Sequence, residues 1–360
     1  MFLHFGYVLI CLPLKIHLNE DILATSELVN VAVIGAGVFG RNHARVYQQL
    51  AQQGEPVRLA GVVDTDLQRA DVVCREFGCR AFGSIEQLIE TYQEVRAASV
   101  AVPTVSHFST AKKLMEAGID VLIEKPLTTS LAEADELIQL SKKLDRIAQV
   151  GHLERFNPAV QATVPLVTQP MFFEVHRLSV FTPRSLDVDV VLDLMIHDLD
   201  IVLALAKSSV KEIRAVGLPI LSGKTDIANV RLEFESGCVA NFTASRVSTE
   251  RVRKLRFFQP RQYISIDYAR QDVLVFSVGQ SGLPTEPSVN PQINVGKPEI
   301  ISEEPLQAEI KSFLNCVRQR SKPLVSVQEG RNALELALKI VSSINEHGKK
   351  VQLETLRTSS

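Results

Sequence analysis

The turn Gly35-Ala-Gly37-Val-Phe-Gly40 lies between a β-branched run, Val29–Ile34, and a helical stretch opening RNHARVYQQLAQQ, and this order constrains the chain more than any other feature. Gly-x-Gly-x-x-Gly carries weight only in that context. There Gly35 permits a tight turn, Gly37 lets a pyrophosphate approach the backbone, and Gly40 lets helix and strand pack closely. Glycines between a strand and a helix may also do no more than turn the chain, so the next elements have to decide. The segment 56–64 (PVRLAGVVD) reads as a second buried strand ending in Asp64, 24 residues beyond Gly40. A carboxylate there accepts both hydroxyls of an adenosine ribose and repels a 2′-phosphate. Capping the helix DLQRADVVCREF is the competing reading for Asp64. No Arg or Lys adjoins Asp64 in sequence, which favours NAD over NADP.

Alternation then continues. Ser84 can cap a helix SIEQLIETYQ, and Ala97–Val102 is a third strand. A helix over Val105–Ala117 stops at Gly118, the strand DVLI follows at 120–123, and a further helix leads to Arg146–Val150. Such βα repetition predicts a doubly wound, mainly parallel sheet of α/β type over residues 29–150. Residues 151–350 read as a second unit rich in strand-like runs. Its strand-like runs include MFFEVHRLSVF, VKEIRAVGL and CVANFTASRV, with Gly217 and Ser236-Gly237 as turns and two amphipathic helices near the end. Residues 1–28 read as an N-terminal extension, disordered or upstream of the true start. The run is apolar but lacks the basic beginning and cleavage site of a signal peptide.

Thirty-nine Lys and Arg against forty-one Asp and Glu leave a net charge of −2, no field for nucleic acid or anionic lipid. No apolar run reaches the ~20 residues that span a bilayer. Five scattered cysteines form neither a disulfide framework nor a zinc motif and suit the cytoplasm.

Two sites suggest chemistry. Lys125, in Glu124-Lys125-Pro126, follows a parallel strand and points toward the cofactor crevice, unless it is a solvated turn lysine. In 190–205 (VVLDLMIHDLDIVLAL), Asp193 and His197 stand i, i+4 on one helical face, an acid and an imidazole suited to proton transfer. A buried, satisfied histidine is the bland alternative. Metal binding lacks further ligands at suitable spacing, so no metal is expected.

VAVIGAGVFGRNHA, the strand-end Asp64, VPTVSHFSTAKKLMEAG, DVLIEKPL and DLMIHDLDIV together resemble the glucose–fructose oxidoreductase / inositol dehydrogenase (Gfo/Idh/MocA) family, in its order, from about residue 29 to 345. The resemblance implies an NAD-dependent dehydrogenase acting on a CH–OH group. It places Gly35, Gly37, Val38, Phe39, Gly40, Asp64, Pro103, Thr104, His107, Glu124 and Lys125 around the cofactor. It assigns Lys125, Asp193 and His197 to catalysis: His197 takes the hydroxyl proton, Asp193 orients it, and Lys125 stabilises the alkoxide, although Lys125 and His197 can exchange roles. GHLERFNPA at 151–159 is similar to a branch that oxidises nucleotide-linked amino sugars, of the UDP-N-acetylglucosamine 3-dehydrogenase type. On that reading Glu154, Arg155 and Asn157 meet the nicotinamide ribose or the sugar, as His197 does, and Arg177 and Arg184 grip a diphosphate. Each arginine has a salt bridge as its alternative role. A free-sugar or polyol dehydrogenase, an NAD-dependent glycosidase and a non-catalytic NAD sensor stay open. The family also implies that residues 151–350 form an α+β domain with a large, mostly antiparallel sheet for substrate binding and oligomerisation, and a homodimer or homotetramer.

Overall fold

A computed structural model describes residues 27–182, 186–279 and 292–351. The first layer alternates β1 (Val29–Ile34), α1 (Val38–Gln52), β2 (Val57–Val63), α2 (Leu67–Phe77), β3 (Arg80–Phe82), α3 (Ile85–Thr91), β4 (Val95–Val100), α4 (His107–Glu116), β5 (Asp120–Glu124), α5 (Leu131–Lys143) and β6 (Ala148–Gly151). All strand pairs are parallel, in the order β3-β2-β1-β4-β5-β6, the doubly wound arrangement expected. β1, β4 and β5 read as continuous apolar runs because helices cover both faces. The short β3 escapes notice in the sequence because three residues show no periodicity.

After α6 (Pro158–Thr163) comes β7 (Phe172–Val180), then α7 (Ile196–Ala206) and the hairpin-rich run β8 (Val210–Leu218), β9 (Ile227–Phe234), β10 (Val239–Ser248), β11 (Val252–Gln259), β12 (Gln262–Asp267), β13 (Asp272–Gly279) and β14 (Gln292–Gly296). The second sheet is ordered β14-β13-β12-β11-β7-β10-β9-β8 and is antiparallel except where β7 meets β10. One face of it shares a core with α7 and with the C-terminal helix of the described chain. Gly217 lies inside β8, not in a turn: a Cβ there would stand 2.6 Å from Thr225 and 2.9 Å from Ile344. Two helices close the described chain, α8 (Pro305–Gln319) and α9 (Val327–Lys350). They serve both layers: Ile310 and Phe313 of α8 enter the first core, whereas Ala337 and Ile340 of α9 enter the second.

The helix expected over 190–205 is interrupted. Val191–Met195 forms a π turn, and regular α-helix begins only at Ile196.

Candidate active site

The glycine-rich turn lies at the carboxyl end of β1. Gly35 is left-handed (φ +102°) and donates its N–H to the Val63 carbonyl at 2.7 Å. A Cβ on Gly40 would stand 1.7 Å from the Gly35 carbonyl oxygen, so only glycine lets α1 start here. At Gly37, the residue before α1, nothing lies within 4 Å of a Cβ. That open space faces a helix N-terminus whose first N–H groups lack intrahelical partners, the setting for a pyrophosphate.

Asp64 at the end of β2 accepts from the Ala36 N–H at 2.7 Å and the Asp66 N–H at 2.9 Å. It does not cap α2. Asp66 does, accepting from Gln68 and Arg69. Each Asp64 oxygen keeps lone-pair capacity for a ribose hydroxyl. A cleft of about 690 Å³ runs from this turn, lined by Gly35, Gly37, Val38, Phe39, Asp64 and Pro103 among others. One expectation is corrected here. A basic residue does lie beside Asp64, since Arg69, one turn into α2, comes within 3.9 Å of its carboxylate and lines the cleft. A helical offset of five hides that neighbour in the sequence.

Thr104, His107, Glu124 and Lys125 do not line this cleft. His107 is buried, with ring nitrogens 2.9 Å from the carbonyls of Val102 and Pro126, so it ties together the loops that follow β4 and β5. Glu124 faces inward, 2.9 Å from His43, whose other nitrogen is 3.0 Å from Ser99; Tyr47 lies 2.9 Å from the same Ser99 oxygen. Burial pushes the Glu124 carboxyl up, but the His43 hydrogen bond and charge, with Lys125 and His107, hold it below its usual range.

Lys125 leaves the end of β5 and donates from Nζ to the Asp193 backbone carbonyl at 2.7 Å, with the Asp193 carboxylate at 3.6 Å. The expected Asp193–His197 pair is therefore replaced by an Asp193–Lys125 pair. The π turn adds a residue to the loop and takes Asp193 out of i, i+4 register. His197, in the first turn of α7, has an Nδ1 that is buried without a hydrogen-bond partner. Burial, then the positive charges of Lys125 and Arg177, push its pKa well below the usual value, so the ring is neutral at neutral pH.

His152, overlooked in the sequence, stands beside it. The register pairs Glu124 with Gly151, so Lys125 and His152 leave adjacent strand ends together. Gly151 makes room: a Cβ there would be 3.3 Å from the Glu124 carboxyl group. The rings of His152 and His197 meet edge to face at 6.2 Å, and neither His152 nitrogen has a partner. Burial and the charges of Lys125 and Arg155 lower the His152 pKa to about 3. Only the parallel register, which no single run displays, signals this residue.

The residues assigned to substrate mostly bind one another. Arg177 grips Asp198 through two bonds of 2.6 and 3.0 Å and Glu154 at 3.1 Å, all buried. Asn157 donates to Glu154 and caps α6. Arg155 faces away, onto Asp200 at 3.2 Å. The salt-bridge alternative thus holds for Arg177, and Arg184 lies outside the described residues.

A dinucleotide cleft beside a lysine, an acid and a neutral imidazole defines a Rossmann-fold dehydrogenase acting on CH–OH groups. Residues 29–152 match the family model "Oxidoreductase family, NAD-binding Rossmann fold", and residues 169–263 match "GFO/IDH/MocA C-terminal domain". The chain belongs to the Gfo/Idh/MocA oxidoreductase family. It is 36% identical over 313 residues to UDP-N-acetylglucosamine 3-dehydrogenase of Acidithiobacillus ferrooxidans, covering 87% of this chain and 96% of that protein. It is 25% identical to the scyllo-inositol 2-dehydrogenase (NAD(+)) of Bacillus subtilis, over 91% of this chain and 97% of that one. A solved structure of the Acidithiobacillus enzyme superposes with a TM-score of 0.80, at 35% identity, over 88% of this chain and 97% of that one. Among the described residues no helix is long and apolar enough to cross a membrane.

Proposed function

We propose that this enzyme oxidises a UDP-linked N-acetylamino sugar at a secondary hydroxyl to a keto sugar, with NAD as cofactor. The observation that carries this reading is the meeting of Lys125, Asp193 and neutral His197 at the end of β5, in a chain 36% identical to a UDP-N-acetylglucosamine 3-dehydrogenase. Bound in the cleft, NAD would be held by the glycine-rich turn and Asp64 and would supply the hydride acceptor. His197, kept uncharged, takes the hydroxyl proton. The Lys125 cation, held by Asp193, stabilises charge developing on the oxygen. Asp64 supports NAD over NADP, because a 2′-phosphate would face its carboxylate, although Arg69 offers that phosphate a partial counter-charge.

We read the enzyme as cytoplasmic and homo-oligomeric. On the sheet face opposite α7, the rings of Phe172, Phe258, Tyr263 and Phe276 stack in series at 5.5, 4.7 and 5.1 Å, an apolar ladder suited to a second copy; light scattering of the purified protein tests this.

A panel of UDP-sugars with NAD, followed by NADH absorbance with the product ketone located by NMR, tests the main reading. NADH from UDP-N-acetylglucosamine is expected; turnover of inositol alone sinks it. The second reading, a free polyol dehydrogenase, is favoured by one observation: the Arg177 charge is already spent on Asp198 and Glu154.

A further inference from the structure

A nucleotide sugar carries its diphosphate on the anomeric carbon, within the span of one ring of every ring hydroxyl. An enzyme that oxidises such a hydroxyl therefore needs a cation about one sugar ring from its catalytic histidine. Arg177 cannot serve: three charge-assisted bonds hold it to two buried carboxylates. Its register partner across the sheet is Arg253, the second residue of β11. Arg253 has the same side-chain parity as Leu255 and Phe257, which are buried in the core, so it points to the α7 side of the sheet. Unlike them it stands at the strand's open end and is exposed. Its backbone carbonyl accepts from the Tyr268 N–H at 3.0 Å, but among the described residues its guanidinium makes no hydrogen bond or ion pair. It is near enough for its charge to be felt at His197, and Arg251, also exposed, lies two residues earlier. Desolvation of the part it does bury, then the neighbouring Arg177, disfavour its cation, and the more distant carboxylates of Glu154 and Asp198 offset that only in part, leaving a cost that an arriving anion would lower.

We propose that Arg253 is the specificity-determining residue that grips the diphosphate of the substrate, with Arg251 as an outer cation. The assignment rests on the UDP-sugar reading for its ligand. A diphosphate offers oxygens that match the planar donor fork of one guanidinium and a second charge for the other.

Calorimetric titration of UDP into the NAD-loaded enzyme tests it, with uridine as the uncharged comparator. Losing one charge-assisted contact costs about 10- to 100-fold in affinity. R253Q should therefore bind UDP that much more weakly than the parent, R253K should fall between, and uridine should not distinguish parent from R253Q. R256Q removes the same charge from the opposite face of β11, where Arg256 pairs with Glu174 at 3.1 Å, and should leave UDP binding unchanged. With UDP-N-acetylglucosamine, R253Q should raise KM and spare kcat. The assignment is overturned if the parent does not bind UDP, if R253Q binds it as the parent does, or if R256Q weakens it equally. NADH formation at unchanged KM in R253Q sinks Arg253 and keeps the sugar reading. Charge-dependent UDP binding without NADH from any UDP-sugar keeps Arg253 and sinks the sugar reading.

Discussion

Three side chains divide the chemistry by charge state. In the proposed reaction Lys125 would bring a cation to the substrate and Asp193 would balance it, while burial and that same cation oppose protonation of His197. Removing Lys125 or His197 by alanine should lower kcat by about 10²–10⁴-fold while the Kd for NAD changes little, since neither lines the cofactor cleft. Near-parental turnover in either variant would remove the site. Asp193→Asn should mimic a weakened Lys125, not a misdirected His197, so adding it to Lys125→Ala should cost almost nothing more. His152 gives a second measurable consequence. Its pKa is about 3 in the fold, against about 6.5 in the unfolded chain. Below pH 6.5 the unfolded chain therefore takes up a proton that the fold refuses, and stability falls as the pH drops toward 3. By pH 5 the loss from this group is about 2 kcal/mol. His152→Phe keeps a ring against His197 and cannot titrate. Urea unfolding at pH 7.5 and 5.0 should show the parent losing about 2 kcal/mol more than the variant, and equal losses would show that His152 is not held neutral.

At the scale of elements, the glycine-rich turn separates two roles that its motif runs together. Gly40 is a packing residue and Gly37 leaves space for a ligand. Gly40→Ala should destabilise the protein without any cofactor, because a methyl group cannot share space with the Gly35 carbonyl. Gly37→Ala should keep the melting temperature of the cofactor-free protein and weaken NAD binding at least tenfold. A fluorescence titration paired with a thermal melt separates them; equal effects of both changes on the melt would contradict the assignment. This turn and the strands beside it are legible because local pattern alone defines them; Lys125 is legible by pattern only as a strand-end residue, and its role rests on the family resemblance. The Asp193–His197 pairing does not follow from the spacing, because a π turn and an α turn look alike in sequence. Capping of α2, the competing role for Asp64, falls to Asp66 two residues away, since either acid fits a helix start. Gly217 shows the same limit: its glycine answers a neighbour, Ile344, that is more than a hundred residues distant.

For the molecule as a whole, α9 decides whether the two sheets behave as one body. Gly330 brings the helix onto the first sheet, where a Cβ would stand 2.6 Å from Val150, and Ile344 meets Gly217 of the second. Between them Leu334 joins the first core and Ile340 the second, both buried, two turns apart on one helix. Arg177 adds a buried tie, from β7 to Asp198 of α7 and to Glu154 just beyond β6. The first sheet ends with β6 at Gly151, yet the sequence conceals this helical clamp, because amphipathicity does not say which core a face will enter. A shared helix cannot unfold for one layer and remain for the other. Leu334→Ala and Ile340→Ala each leave a cavity costing about 2–5 kcal/mol. Both should lower a single calorimetric transition, and NAD, whose cleft is lined only by residues of the first layer, should raise that whole transition in the parent and in both variants. If the layers were independent, Ile340→Ala would instead split off a lower transition that NAD leaves unmoved.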